Sequence, residues 1–240
     1  MAGSWERIRP IRASDEIVRQ VRHAIFEGRL VPGDVVGSEN GLADEFGVSR
    51  NTVRDALRAL EASGAVEIRI GVKGGVRVAQ PDPLRFADAL AVQLALVGID
   101  PSEAATAQLG LEWVGAELAA DHATPQHLKQ LELLLEQSAR LVDDSPAFAE
   151  SSQAFHDVVA EASANWAIIS SLRALREITR EVRARHTSPT MARRVQQFHQ
   201  AIYEAVRDGD AEKAGQIMRQ HMSLTARSRQ PAGRARAAAH

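Results

Sequence analysis

The 240-residue sequence contains no cysteine, which excludes disulfides and thiolate metal sites. Aromatic residues are scarce at 4%, with a single tyrosine, while hydrophobic residues reach 45% and are mostly Ala, Leu and Val. That balance favours packed helices over sheets. Neither charge is in excess: the formal net charge is -2. Residues 1–80 carry 12 Lys+Arg against 11 Asp+Glu, and residues 81–240 carry 17 against 20. Any surface for a polyanion must therefore be a local cluster, sensitive to salt. Apolar runs of membrane-spanning length are missing, as is a leader pattern, so the expectation is a soluble cytoplasmic chain with no membrane partner. The length admits two modest domains or one large one.

The stretch from Leu42 to Leu57, LADEFGVSRNTVRDAL, predicts a helix, a tight turn and a second helix. Ala43 is small enough for two helices to cross closely. Gly47 stands where the turn needs positive φ, and Val48 plugs the turn from below. Ser49 is placed to cap the second helix, and Val53 and Leu57 repeat inward at helical spacing. Arg50, Asn51, Thr52 and Arg54 are left facing out at its front. A helix N-terminus prefers acids, so two arginines there point to a polyanionic partner. This is helix-turn-helix patterning, in which the second helix enters the major groove of double-stranded DNA. An ordinary αα-hairpin accounts for the apolar positions and the glycine but not for the cations.

Around this stretch the punctuation is regular. Residues 1–14 are basic and aperiodic, an expected flexible start. Ser14 is read as the cap of a helix to Glu27, with Ile17, Val21 and Ile25 inward and Gly28 as its stop. Leu30 to Asp34 is a turn, and Ser38 caps the first helix of the helix-turn-helix. The recognition helix runs to Ala62. Val66–Ile70 and Val76–Val78 predict a two-stranded hairpin with a glycine-rich tip, a wing. The prolines of residues 79–83 mark a linker. Seven helical segments follow: 84–97, 102–121 capped by Ser102, 125–143 begun by Thr124-Pro125, 146–164, 166–186, 189–208, and 210–229 capped by Asp210. Short loops predict antiparallel packing of sequential helices. Residues 230–240 read as a disordered tail. The expected fold is mainly α: a winged helix-turn-helix over 15–78 with a small β-hairpin wing, then an antiparallel seven-helix bundle over 84–229.

Residues 15–78 resemble the winged-helix domain of the GntR superfamily of bacterial transcription factors, through GRLVPGDVV, LADEFGVSRNTVRDALRALEASGAVE and the glycine-rich wing. Residues 84–229 resemble the helical FCD-type effector domain of the FadR subfamily. The marks there are LEWVGAELAA, FHDVVAEASANW, FHQAIYEAVRDGDAEKAGQIMRQHM and the count of seven helices. The resemblance implies that Arg50 and Arg54 read base edges, often guanines, whose two major-groove acceptors match the arginine fork. It implies that Ser49, Asn51 and Thr52 contact phosphate or thymine, and that Gly71 is the wing-tip glycine. One position departs: where the family has an arginine that touches DNA, this chain has the shorter, uncharged Asn40.

The resemblance also bears on three histidines, His156, His199 and His221, which fall in three different predicted helices. Neutral imidazole is a common ligand of Zn, Ni or Mn. In the subfamily these histidines, with an aspartate one turn before the first, hold a divalent metal that anchors an organic acid. Here Ser152 stands at the aspartate's position. Its hydroxyl is a poor ligand, although Gln153 offers a carbonyl oxygen, and the lost charge leaves room for a ligand's own carboxylate. The arginine that commonly faces the pocket four residues before Glu112 is here Gln108. Arg173, Arg176, Arg180 and Arg183 run along one helix and read as a solvated or dimer-facing stripe. The other five histidines read as surface or tail residues.

These observations imply a ligand-responsive DNA-binding regulator of repressor type and not an enzyme. It is expected to bind a palindromic operator as a homodimer and to sense a small carboxylate in its helical domain, through a divalent metal. Alternatives are a metal-independent regulator that senses a larger acyl or lipid-like ligand, and a metal-dependent hydrolase with an attached DNA-binding module.

Overall fold

A computed structural model of the chain describes residues 12–69, 75–183 and 188–229. They fall into two compact units, Met1–Pro81 and Asp82–His240.

The first unit runs α1 (Ala13–Phe26), β1 (Val35–Gly37), α2 (Glu39–Phe46), α3 (Arg50–Ala62), β2 (Val66–Arg69) and β3 (Gly75–Val78). Its core brings Ile17 and Val21 of α1 and Leu42 and Ala43 of α2 against Val53, Leu57 and Leu60 of α3, with Val66 and Val76 of the sheet beneath. Ser38 and Ser49 cap α2 and α3, accepting from the Gly41 and Thr52 amides. Gly47 ends α2 at φ +64°, the left-handed conformation that glycine adopts without steric cost. Two expectations are corrected here. Ser14 caps nothing: α1 starts behind Arg12, with no side-chain cap, and Asp15 and Glu16 in its first turn offset the helix dipole. The sheet has three strands, in the order β1-β3-β2 and antiparallel throughout. The three-residue β1 is too short to show alternation, and only the fold lays Val35 opposite Arg77 and Gly37 opposite Val76. The wing tip, including Gly71, lies outside the described residues.

The second unit has seven helices among its described residues: α4 (Pro83–Val97), α5 (Pro101–His122), α6 (Pro125–Ala139), α7 (Ser145–Ala162), α8 (Trp166–Arg183), α9 (Pro189–Arg207) and α10 (Ala211–Arg229). Asp100, not Ser102, caps α5; its carboxylate accepts from the Ser102 amide, and Glu103 returns to the Asp100 amide, closing a capping box. α6 stops at Ala139, short of the expected Asp143, because the chain turns through Leu141 to Asp144, which caps α7. Chain order does not dictate the packing. α5 is the central helix and takes α7, α8, α9 and α10 against its sides, while α4 packs on α8. Small residues allow this: Ala116 and Ala119 of α5 are fully buried. A Cβ on Gly215 of α10 would meet the Glu117 side chain of α5, with Oε1 at 2.4 Å, so a larger residue there would displace that side chain and its hydrogen bond from Trp113.

No helix among the described residues is long and apolar enough to cross a membrane.

Candidate functional sites

The first candidate surface is the front of α3. Arg50 and Asn51 are exposed on its first turn. Ser49 Oγ lies 2.8 Å from Thr52 Oγ1 while it accepts from the Thr52 amide at 3.2 Å, so both hydroxyls are tied to the helix start. Arg54 is not loose. Its Nη2 donates to Glu39 Oε2 at 2.9 Å and its Nε to Oε1 at 3.4 Å, reaching from α3 back to α2. The hydrogen bond from Arg54 holds the Glu39 carboxyl below the usual carboxylate range, with Arg50 and Arg58 adding their charge. Glu39 therefore presets the Arg54 side chain while leaving it 43% exposed. Arg58, exposed one turn further on, extends the row Arg50, Arg54, Arg58 along one helix face. The i+4 spacing signals it in the sequence, although only the first two arginines were singled out there. Asn40 is exposed in the first turn of α2.

The second candidate lies inside the helical unit. α7, α9 and α10 bring His156, His199 and His221 together, all buried, with one ring nitrogen from each within 4.8 Å of the others. His156 Nε2 and His221 Nε2 are 3.1 Å apart. His199 is 0% exposed and stacks on Phe155 with ring centroids 4.3 Å apart. Neither of its ring nitrogens has a hydrogen-bond partner. A buried imidazole with both nitrogens unpartnered is costly unless something else binds it. Burial, and then the neighbouring His221 and His156, push the His199 pKa well below the ordinary histidine value. It is held neutral, the form that ligates metals.

Glu112, a site residue that the sequence reading passed over, stands behind this cluster. It is 1% exposed on α5. Its Oε2 lies 2.9 Å from His156 Nδ1, and its Oε1 accepts from Arg176 Nη2 at 2.9 Å. Burial by itself would raise the Glu112 carboxyl, but His156 and Arg176 outweigh it and hold it ionised, well below the carboxylate range. A carboxylate against Nδ1 accepts from that nitrogen and orients Nε2 toward the other histidines. With an ion bound at Nε2, Glu112 and His156 would form a carboxylate-histidine-metal triad. His156 Nε2 and His221 Nε2, 3.1 Å apart, are close enough for both to serve one ion, and the unpartnered His199 would supply the third nitrogen.

The remaining pocket residues behave differently from the sequence reading. Arg176 is buried, not part of a solvated stripe, and also pairs through Nη1 with Asp157. Arg173 is half-buried and pairs with Glu161 at 3.2 Å; the side chains of Arg180 and Arg183 lie outside the described residues. Gln108 does not face an open pocket: it is buried, donates to Glu112 Oε1 at 3.3 Å and accepts from Thr179. Gln153 donates to Asp157 Oδ1 at 3.2 Å. Together with Asp157 and Arg176 it lines a cleft of about 390 Å³ between α4, α7 and α8. Ser152 is half-buried, one turn before His156. His23 and His122 are exposed, and His127 takes part in the capping of α6. His186 and His240 lie outside the described residues.

Comparison with known proteins gives a consistent picture. The gntR family of bacterial regulatory proteins matches residues 13–78, and the FCD domain matches residues 103–224. An Escherichia coli protein named for regulation of the L-lactate dehydrogenase operon is 30% identical over 224 residues, covering 90% of this chain and 85% of that one. The galactonate operon transcriptional repressor of the same organism is 29% identical over 209 residues, covering 84% and 90%. Among solved structures, a Streptococcus agalactiae GntR protein superposes with a TM-score of 0.60 at 25% identity, over 90% of this chain and 99% of that one.

Proposed function

The chain belongs to the GntR family of bacterial regulatory proteins and carries an FCD domain, and from that membership we propose that it is a transcriptional repressor whose DNA affinity is set by a small carboxylate. It binds a palindromic operator as a homodimer. Arg50 and Arg54 read base edges in the major groove, Ser49, Asn51 and Thr52 contact phosphate or thymine, and Asn40 and Gly71 are further candidate DNA contacts. Two copies double the reading length of one short helix, which is why a palindrome is expected.

The observation that carries the sensing half is the buried histidine triplet with His199 unpartnered. His156, His199 and His221 would hold a divalent ion of the Zn, Ni or Mn kind, which would supply a Lewis-acid anchor for the effector's carboxylate. Glu112 keeps His156 in the ligating tautomer, and Arg176 keeps Glu112 in place. Ser152 in place of an acid removes a negative charge beside the cluster, which suits an anionic ligand. The operons named for two relatives concern L-lactate and galactonate, both small hydroxy acids, which supports that effector class. The effector changes DNA binding by its unequal affinity for two states of the dimer.

Elemental mass spectrometry on untagged protein, with His156→Ala as control, tests the metal. About one ion per chain, lost in the variant, is expected. No metal in either protein would leave a metal-independent regulator of a larger ligand. Fluorescence anisotropy on an operator selected from a random library, with and without L-lactate and galactonate, tests the regulation; no sequence-selective binding at all would overturn the reading.

A further inference from the structure

We infer that Arg58, in the third turn of α3, contacts the DNA phosphate backbone and fixes how the helix lies across the groove, apart from the base reading of Arg50 and Arg54. The inference rests on the DNA-binding reading above and adds a residue to it.

Most arginines of the first unit are held by the protein itself. Arg19, Arg29 and Arg69 sit in ion pairs with Glu16, Glu27 and Glu67. Arg77 donates to the Gly33 carbonyl at 3.0 Å. Arg54 is tied to both carboxylate oxygens of Glu39. Arg50 and Arg58 differ: both are exposed, and neither has a hydrogen-bond or ion-pair partner among the described residues. Acids stand near Arg58 without engaging it. Asp55 and Glu61 lie three residues before and after it, a spacing at which helical side chains can pair. Glu61 instead accepts from the Ile68 amide at 3.3 Å. Glu39 is occupied by Arg54, although the charge of Arg58 still reaches it and helps hold its carboxyl below the usual range.

Geometry separates Arg58 from the two arginines before it. Eight residues of helical rise put its Cα about 12 Å along the axis from that of Arg50. A recognition helix sets its N-terminal residues on base edges, and the major groove is about 8.5 Å deep. With the first turn of α3 at the groove floor, Arg58 stands at the rim, where the phosphates run. A guanidinium without a partner in the free protein binds an anion without first breaking a pair. Glu39 offsets the charge of Arg54, so Arg50 and Arg58 carry the α3 charge that displaces counterions from DNA. Phosphate is the same beside every base pair. Arg58 therefore sets affinity, register and salt dependence, not sequence preference.

Arg58→Gln and Arg58→Lys test this beside wild type and Arg50→Ala. Fluorescence anisotropy is read on a duplex that the wild-type chain selects from a random library and on its scrambled counterpart, between about 50 and 200 mM salt. Gln and Lys are both good helix formers, and circular dichroism checks that the helical content persists. Arg58→Gln is expected to weaken binding to both duplexes alike and to lower the slope of log K against log salt by about 0.9 per copy bound. Lysine keeps the point charge that a phosphate needs, so Arg58→Lys is expected to hold the wild-type slope. Arg50→Ala is expected to lower the preference for the selected duplex instead. An Arg58→Gln protein with wild-type affinity and slope overturns the inference. So does one that loses the preference as Arg50→Ala does, because that result puts Arg58 on a base edge. A wild-type chain without sequence-selective binding overturns the DNA-binding reading itself.

Discussion

Replacing Glu112 by Gln probes the metal-centre reading most directly. The variant keeps the shape of the side chain but removes a charge that is 1% exposed and held between His156 Nδ1 and Arg176 Nη2, each at 2.9 Å. Removing one partner of a buried ion pair costs about 3–5 kcal/mol when the other charge is left behind. Here Gln can still accept from Arg176, and Asp157 continues to pair with it, so about 2–4 kcal/mol is expected. For a chain of this size that corresponds to a Tm lower by roughly 5–15 °C. The amide also presents no carboxylate to His156 Nδ1, which loosens the ring and its tautomer and should weaken metal binding about 10–100-fold. The stability term is read from thermal unfolding in chelator, and the metal term from competitive titration of Zn against a dye. The double variant Glu112→Gln/Arg176→Gln removes both charges and should recover part of the lost stability. A Glu112→Gln protein with Tm within a degree of wild type and unchanged Zn affinity would refute the role given to this carboxylate.

Two other perturbations follow from the same geometry. His199 has a folded-state pKa depressed by burial and by its histidine neighbours; the unfolded chain therefore takes up a proton near pH 6.5 that the folded chain refuses. In chelator, stability should be full above about pH 6.5 and fall below it by up to about 1.4 kcal/mol per pH unit. Glu112, also depressed, contributes its stability above about pH 4.5 and loses it only in stronger acid. Unfolding measured from pH 5 to 8 should slope in wild type and flatten in His199→Gln; equal slopes in both would count against a neutral buried His199. On the DNA side, Arg50→Ala and Arg54→Ala should each lower the preference for operator over scrambled DNA by about 1–3 kcal/mol. Glu39→Gln should loosen Arg54 and blunt the same preference, since the paired carboxylate sets its direction. Unchanged specificity ratios in anisotropy titrations would remove α3 as the reading helix.

Local chemistry determined much of this protein before any packing was known. Gly47 ends α2 because only a left-handed residue turns the chain there, and Ser38, Ser49 and Thr124 cap helices because their hydroxyls reach amides within their own segment. The outward arginines of α3 stand out in the sequence by residue type and helical spacing, whereas the three widely separated histidines stand out only through the family resemblance. Choices among near neighbours were harder. Asp100 and Ser102 are both good caps, and the capping box with Glu103 favours the first.

Tertiary structure alone decided which distant groups meet. β1 exists because its three residues find the free edge of β3, a pairing that no alternation announces. Arg176 reads as one more cation on a helix until α5 and α7 bring Glu112 and Asp157 to it. Glu112 is only a reference position for Gln108 in the sequence, and becomes a buried partner of His156 and Arg176 because α5 is the central helix of its unit. Gln108 becomes part of that acid's hydrogen-bond network for the same reason. Burial removes water as an alternative partner. The identity of a charge's neighbours, 44 to 64 residues away in the chain, then governs its ionisation and its use. Sequence spacing holds no record of those neighbours, whereas caps and helical faces are written within a few residues of one another.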